Sequence, residues 1–158
     1  MHLVDEKDAV PIRSHDELLA YFSSAGKPVE RWRVGTEHEL VGVVTSPPSA
    51  AGTPPTYDGA SGIGALFAWF AARGGTPVLE GGHTIALQRG DDQLTIEPGG
   101  QFELASRPVT DDQEFAVELA EYVLALGEAS RELGLAWLST GLRPFGGRGD
   151  VPWMPKDR

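Results

Sequence analysis

Four glutamates in two strand-like stretches have the residue type and the spacing of a cation-binding site. They are Glu37, Glu39, Glu97 and Glu103. The first two lie two residues apart in the stretch 34–40, and alternate side chains of a strand point to the same face, so both carboxylates face one side. Carboxylate oxygens are the ligands that magnesium prefers, usually together with substrate phosphates. Two strands that each present two carboxylates to one side would meet that requirement.

The second stretch, 94–106, is predicted to be one strand that is interrupted at Pro98-Gly99-Gly100. With regular alternation, one set of its side chains is polar: Thr95, Glu97, Gln101 and Glu103. The opposite set is apolar: Ile96, Phe102 and Leu104. The alternation is kept only if the two glycines add no bulge, and glycines inside strands often mark one.

The residues alone leave two interpretations of the acidic pairs open. Glu37 and Glu39 could form the solvated face of an edge strand. However, like charges that face each other across strands destabilise a sheet, so a second acidic pair favours a bound divalent cation. His38 lies between them and would point to the opposite face, where packing or hydrogen bonding is favoured over metal ligation. Reasoning from the residues ends at a divalent cation bound by carboxylates.

Composition and charge narrow the class of protein. The chain has 158 residues, 41% of them hydrophobic and 23% charged, which fits one globular domain. Its net charge of −10 argues against nucleic-acid binding, which needs clustered lysine and arginine. The absence of cysteine excludes disulfides, thiolate nucleophiles and zinc–thiolate sites within this chain. No apolar stretch has the length of a signal peptide or a membrane span, so we expect a cytoplasmic protein without membrane contact.

The order of predicted elements indicates an α+β architecture, an antiparallel sheet with helices packed on one face. Capping boxes at 14–17 and 110–113 predict two helix starts, and Gly26 and Gly134 predict the matching ends. The other predicted elements are a strand at 33–44, a loop at 46–57, a helix at 60–73, hairpin strands at 84–88 and 93–97, and a strand at 135–142. We expect a single domain, 1–158, whose parts are an N-terminal helix and connector (1–30), the acidic sheet with its helices (31–142) and a tail rich in glycine, proline and arginine (143–158).

Three motifs resemble the plant-type glutamate–cysteine ligases, a family that is also found in bacteria. In chain order they are Gly35-Thr36-Glu37-His38-Glu39, Glu97-Pro98-Gly99-Gly100-Gln101-Phe102-Glu103-Leu104 and Met154-Pro155-Lys156-Asp157-Arg158. The resemblance covers about 33–158, and the second motif is its specific part. It implies a catalytic fold of the glutamine-synthetase-like superfamily, of which this chain would be the N-terminal portion.

The resemblance implies ATP-dependent ligation of the γ-carboxyl of L-glutamate to the amine of L-cysteine, the first step of glutathione biosynthesis. The family reaction passes through γ-glutamyl phosphate, with Mg²⁺ as cofactor and ATP as co-substrate. Carried onto this sequence, the resemblance implies that Glu37, Glu39, Glu97 and Glu103 are magnesium ligands or contacts to the substrate amine. It implies that Glu37 and Glu103 are catalytic. It also implies substrate or ATP contacts for Gln101, Lys156 and Arg158.

Members of this family are much longer, and their later strands supply further nucleotide, glutamate and metal contacts. The chain could therefore be a fragment, a split subunit with a complementing C-terminal chain, or an inactive relative. Two alternatives to the ligase stay open: a related carboxylate–amine ligase with a different acceptor, and a non-catalytic binding module of the same fold. Because an open, incomplete sheet exposes pairing edges and apolar surface, we also expect self-association or partner binding.

Overall fold

The computed structural model describes residues 10–156. The chain divides into two compact units, Met1–Trp32 and Arg33–Arg158. Each unit is built from its own local elements, and the strand-forming sequence lies entirely in the second.

The described part of the first unit contains helix α1, His15–Ser24, and a short 3-10 helix, Val29–Arg31. The predicted start of α1 is confirmed, because the hydroxyl of Ser14 accepts a hydrogen bond from the backbone N–H of Glu17 at 3.1 Å. This bond satisfies one of the backbone donors that a helix start leaves free.

The second unit is built on an antiparallel sheet. Within the described residues the sheet has six strands in the spatial order β2-β3-β4-β5-β1-β6. The strands are β1 (Glu37–Val44), β2 (Thr76–Glu80), β3 (His83–Arg89), β4 (Asp92–Ile96), β5 (Gln101–Ala105) and β6 (Leu135–Leu138). The helices of this unit are α2 (Ile63–Ala71) and α3 (Asp112–Leu133), with short 3-10 helices at Pro48–Ala50 and Arg148–Asp150. The predicted α+β class with an antiparallel sheet is confirmed.

One face of the sheet forms the core together with both helices. Phe102 of β5 is fully buried, and its ring lies 5.5 Å from that of Phe67 in α2 and 6.4 Å from that of Tyr122 in α3. Aromatic side chains bury much apolar area each, so this stack ties both helices to the same sheet face. On the opposite face, the first half of β1 together with β4 and β5 presents mostly polar side chains.

The stretch 94–106 is not one interrupted strand, which corrects the prediction. It forms two antiparallel strands joined by the four residues Glu97-Pro98-Gly99-Gly100. The N–H of Gly100 donates to the carbonyl of Glu97 at 2.8 Å, and Gly100 has a φ of 83°, the left-handed conformation that completes such a loop. Because paired residues of antiparallel strands point to one face, the polar side chains of the two strands still share a face.

Helix α3 begins and ends where local capping chemistry allows. Its cap is Asp111, whose carboxylate accepts from the N–H of Gln113 at 2.8 Å, and not Thr110 of the predicted capping box. It ends at Gly134, as predicted, where a φ of 68° places the backbone in the left-handed region.

No helix in the described part of the chain is long and apolar enough to cross a bilayer.

Two strands are shorter than predicted. β1 begins at Glu37 and not at residue 33, because Val34 forms an isolated bridge with Val109, with backbone N–H to carbonyl distances of 2.9 Å in both directions. β6 ends at Leu138, where its pairing with β1 ends. The start of β1 and the end of β6 are thus set by which residues pair across strands, and the sequence pattern does not show that pairing.

Candidate functional site

Polar side chains cover the sheet face opposite the core, and four of them are carboxylates. We call this surface the acidic face; its charged residues are Glu37, Glu39, Glu97, Glu103 and Lys156. Together with Gln93, Thr95 and Ala105 they line an open cavity of about 450 Å³. The structure thus brings the four glutamates predicted from the sequence to one place, with one of the three predicted substrate-binding residues beside them.

Strand register places the carboxylates. The pairing of β1 with β5 sets Glu39 directly opposite Glu103, and Glu37 opposite Ala105. The pairing of β4 with β5 sets Thr95 opposite Glu103 from the other side. Directly opposed like charges destabilise a sheet, so this register works against folding unless positive charge offsets it.

Glu103 is the buried member of the acidic face, with 8% of its surface exposed. Burial raises the pKa of its carboxyl, and Coulomb repulsion from Glu37, Glu97 and Glu39 raises it further. The ammonium of Lys156 acts in the opposite direction and lowers this pKa. A carboxyl group whose pKa is raised by burial and by other carboxylates in a cavity is typical of a functional site.

Lys156 brings a positive charge into the acidic face from the tail of the chain. Its ammonium donates to the carbonyl of Ile96 at 2.8 Å, to the Glu97 carboxylate at 3.2 Å and to the Thr95 hydroxyl at 3.4 Å. Only 10% of the Lys156 side chain is exposed. The tail therefore contributes to this site through a residue that lies about 60 positions along the chain from its partners.

Gln101 lines a second cavity of about 200 Å³, which shares Glu39 with the acidic face. Its side-chain oxygen is buried and has no hydrogen-bond partner among the described residues. A Cβ at Gly99 would lie 2.6 Å from that oxygen, so the missing side chain at Gly99 leaves room for the amide. An unpaired buried acceptor is costly, and a ligand that donates a hydrogen bond there would remove the cost.

Two arginines that sequence reasoning did not select line the same second cavity, Arg143 and Arg148. The guanidinium of Arg143 donates to the carbonyl of Gly42 at 3.0 Å and to that of Gly52. Burial lowers the pKa of Arg143. The glycine- and arginine-rich composition of the tail was the only sequence signal for these two residues, and the hydrogen bonds of Arg143 join positions about a hundred residues apart.

The remaining predicted or considered residues lie elsewhere. His38 points away from the acidic face, and its ring meets that of Tyr122 edge-on at 6.1 Å, as a packed histidine does. His83 contacts the ring of Tyr57 at 5.1 Å. Arg158 lies outside the described residues, so the structure gives no position for it.

The acidic face supplies the oxygen donors that magnesium prefers, but not a finished coordination site. Within residues 10–156, no group of three or more histidine, aspartate or glutamate side chains is positioned to hold a metal ion. The donors themselves fit a hard cation, because four carboxylates face one cavity and the burial of Glu103 leaves its charge poorly solvated. Side-chain movement would be needed to bring three of them to one ion.

A sheet face of this kind is suited to hold a cation together with an anionic substrate. Residues 33–158 match the family model described as "Glutamate-cysteine ligase family 2 (GCS2)". The match includes both acidic strands and the tail, and the chain belongs to this family. The resemblance found in the motifs is thereby confirmed.

Curated relatives agree with this assignment. The chain is 33% identical over 150 residues to the chloroplastic glutamate–cysteine ligase of Nicotiana tabacum, which covers 95% of this chain and 27% of the relative. It is also 33% identical over 150 residues to that of Solanum lycopersicum, with the same coverage, and 32% identical over 149 residues to that of Arabidopsis thaliana, covering 92% of this chain and 27% of the relative. The chain thus spans little more than a quarter of the length of the relatives that it matches.

The predicted cytoplasmic location is wrong by this comparison. The matching relatives are named as chloroplastic enzymes. The prediction depended on the lack of an apolar N-terminal stretch. A protein can reach the cytoplasm or the chloroplast without such a stretch, so its absence does not separate the two locations.

Proposed function

We propose that this chain contributes the acidic face to the active site of an ATP-dependent ligase that joins the γ-carboxyl of L-glutamate to the amine of L-cysteine. The observation that carries the proposal is that a member of this family presents four carboxylates on one sheet face around one cavity. The names of the matching relatives state the same activity. Because the chain corresponds to 27% of those relatives, the proposal concerns a complete active site of which this chain forms one part.

The proposed reaction activates a carboxylate, which is a poor electrophile. ATP transfers its γ-phosphoryl group to the γ-carboxylate of glutamate, giving ADP and γ-glutamyl phosphate. The cysteine amine then attacks the acyl carbon, the C–O bond to phosphate breaks, and γ-glutamylcysteine, phosphate and a proton are released. Both steps depend on positioning and on offsetting negative charge. Mg²⁺ held by the carboxylates of the acidic face would supply positive charge that offsets part of that negative charge.

The residues that would hold Mg²⁺ are Glu37, Glu39, Glu97 and Glu103, because their carboxylates surround the cavity. We assign the catalytic role to Glu37 and Glu103, as ligands of that ion or as contacts to the substrate amine. Burial favours Glu103 for this role, since a poorly solvated carboxylate gains most from a cation.

Two further residues have proposed roles toward the substrates. Gln101 would orient a substrate group, because its buried oxygen accepts no hydrogen bond from the described residues. Arg158 would contact a phosphate or carboxylate group of a substrate, because a guanidinium binds such groups with two parallel hydrogen bonds.

We also propose that the sheet belongs to a glutamine-synthetase-like catalytic fold. The support is the arrangement of the second unit, in which helices cover one face of an antiparallel sheet and leave the other face polar. Further strands of the complete fold would extend the sheet and cover its edges.

The test is a ligation assay with two components. This chain is mixed with a second chain that supplies the remaining sequence of the tobacco relative, and γ-glutamylcysteine and ADP are measured with Mg²⁺, ATP, glutamate and cysteine. We expect product from the mixture and not from either component alone. Glu103→Gln in this chain should abolish it, whereas the matched exposed substitution Glu128→Gln on α3 should not.

Two outcomes would count against the proposal. One is a folded mixture that forms no more product than its parts. The other is equal product from the Glu103→Gln and Glu128→Gln mixtures. Replacing cysteine by a panel of other amines tests the related ligase with a different acceptor, which a larger rate with another amine would favour.

A further inference from the structure

The ammonium of Lys156 has no donor left for a substrate. An ammonium has three N–H donors. In the described structure these face three acceptors: the carbonyl of Ile96, the carboxylate of Glu97 and the hydroxyl of Thr95, at 2.8, 3.2 and 3.4 Å. With 10% of its side chain exposed, Lys156 also offers little surface to a ligand. Both observations distinguish it from a phosphate-binding lysine, which extends as a point charge with its donors directed at the ligand.

The backbone before Lys156 is fixed to the same hairpin. The N–H of Met154 donates to the carbonyl of Pro98 at 3.0 Å, and the Met154 side chain is 4% exposed. Its methyl group lies under Gly100, where an added Cβ would come within 3.1 Å of it. Residues 154–156 therefore attach to the β4–β5 hairpin at two points, and Lys156 is held in position by the fold.

Lys156 brings positive charge to a cavity whose other charged lining residues are all negative. The described residues that line the cavity include four carboxylates and one ammonium, and its other lining residues are uncharged. Lys156 also lowers the pKa of Glu103, so its charge reaches beyond the Glu97 carboxylate that it contacts. A divalent cation that binds these carboxylates would meet the same oxygens and the same field as this ammonium.

We propose that Lys156 is the internal counter-ion of the acidic face: it stabilises the carboxylates when no metal ion is bound and competes with a divalent cation for them. This proposal rests on the proposed function, in which the acidic face holds Mg²⁺. It assigns Lys156 a positioning role in place of the substrate or ATP contact that the family resemblance implies. The competition has a direct consequence: removing the ammonium strengthens cation binding.

The first test follows the chemical accessibility of Lys156. The chain contains three lysines, Lys7, Lys27 and Lys156, and Lys27 is exposed, so it serves as an internal control. Reductive methylation of this chain is followed by peptide mass spectrometry with and without Mg²⁺. We expect Lys156 to react more slowly than Lys27, because only 10% of its side chain is exposed and its ammonium donates to three acceptors. Added Mg²⁺ should speed the reaction of Lys156 and leave that of Lys27 unchanged.

The second test measures Mg²⁺ affinity by calorimetry. Lys156→Met should bind Mg²⁺ at least about fivefold more tightly than the wild-type chain, because about 1 kcal/mol is the interaction of two unit charges at contact distance in bulk water and burial strengthens it. Lys156→Arg keeps the charge and should bind like the wild type. Lys27→Met removes an exposed lysine of the same type and should change nothing.

Each outcome decides between the proposals. If the wild-type chain binds Mg²⁺ and Lys156→Met binds it no more tightly, competition by Lys156 is wrong while the proposed metal site stands. Lys156 that reacts as fast as Lys27 without Mg²⁺ would also overturn the counter-ion role. If neither the wild type nor Lys156→Met binds Mg²⁺, the metal site of the proposed function is refuted, and the competition with it.

Discussion

Replacing Glu103 by glutamine should stabilise this chain, although it removes a carboxylate that we propose to be catalytic. Glu103 lies directly opposite Glu39, is 8% exposed, and has a pKa raised by burial and by three neighbouring glutamates. Glutamine keeps the shape of the protonated glutamate and carries no charge. Functional sites commonly hold such costly arrangements, so gain of stability and loss of function are expected together.

The sign of the pH dependence follows from the raised pKa. A carboxyl group with a higher pKa in the folded than in the unfolded chain contributes stability below its unfolded pKa, near 4.3 for glutamate. That contribution is lost as the pH rises through the folded pKa. The wild-type chain therefore bears more of the cost of the Glu103 charge at pH 7.5 than at pH 4.

The size of the effect follows from the strand register. An opposed pair of like charges across two strands changes stability by about 0.2–1 kcal/mol. For a chain of this length, that corresponds to a rise in melting temperature of roughly 0.4–4 °C at pH 7.5. Glu37 lies opposite Ala105, so Glu37→Gln should raise the melting temperature less than Glu103→Gln does.

Thermal and urea unfolding of the wild type, Glu37→Gln and Glu103→Gln at pH 4 and pH 7.5 would measure these differences. The double substitution Glu39→Gln/Glu103→Gln should gain less than the sum of its two single substitutions, because one repulsion is removed by either change. A Glu103→Gln chain that is less stable than the wild type at pH 7.5, or equally stabilised at both pH values, would refute the reasoning.

Three further predictions concern the scaffold and are measured by urea unfolding. Gly134→Ala should lower the free energy of unfolding by about 1–3 kcal/mol, because the φ of Gly134 is 68°, in the left-handed region. Gly127→Ala should raise it by about 0.4–1 kcal/mol, because Gly127 lies inside α3 with nothing near its Cβ position. A loss of stability in Gly127→Ala would contradict this prediction. Gly42→Ala should lower the free energy of unfolding by about 1–3 kcal/mol, because the added Cβ would lie 2.8 Å from a tryptophan ring. Gly35→Ala is the control: its Cβ position is open, and its stability should stay within about 0.5 kcal/mol of the wild type. Equal effects of the two substitutions would contradict the prediction. Phe102→Ala should cost about 3–5 kcal/mol because its ring is fully buried, and a loss below about 1 kcal/mol would show that the core repacks.

Local chemistry made much of the fold predictable. The end of α3 at Gly134 follows from a left-handed cap that glycine adopts without strain. The hairpin of β3 and β4 was predicted from the turn after Arg89, and its positive φ at Gly90 is what a two-residue turn of this kind requires. Both signals are carried by a few adjacent residues.

The structure places the four glutamates on one face, as the sequence pattern predicts, but for a partly different reason. Alternation along one interrupted strand was expected to keep Glu97 and Glu103 on a common face. The structure reverses the chain at Pro98-Gly99-Gly100, and the polar residues share a face because antiparallel partners do. Side chains alternate between faces within each strand, whether the stretch is one interrupted strand or two antiparallel strands. The predicted glutamates therefore share a face in both cases.

Contacts between distant parts of the chain could not be predicted. The pairing of Lys156 with the end of β4 joins residues about 60 positions apart, and that of Arg143 with Gly42 joins residues 101 apart. No periodicity or motif encodes such partners. For the same reason the sequence did not show that Glu39, and not Glu37, lies opposite Glu103.

The most direct test of the proposed active site is Mg²⁺-dependent binding of ATP to this chain, measured by calorimetry. The control is the double variant Glu37→Gln/Glu103→Gln, checked for an intact fold by circular dichroism. We expect binding to the wild-type chain that requires Mg²⁺ and is lost in the double variant. Absence of binding to the folded wild-type chain, or equal binding by the double variant, would contradict the claim that the acidic face holds the metal and the nucleotide.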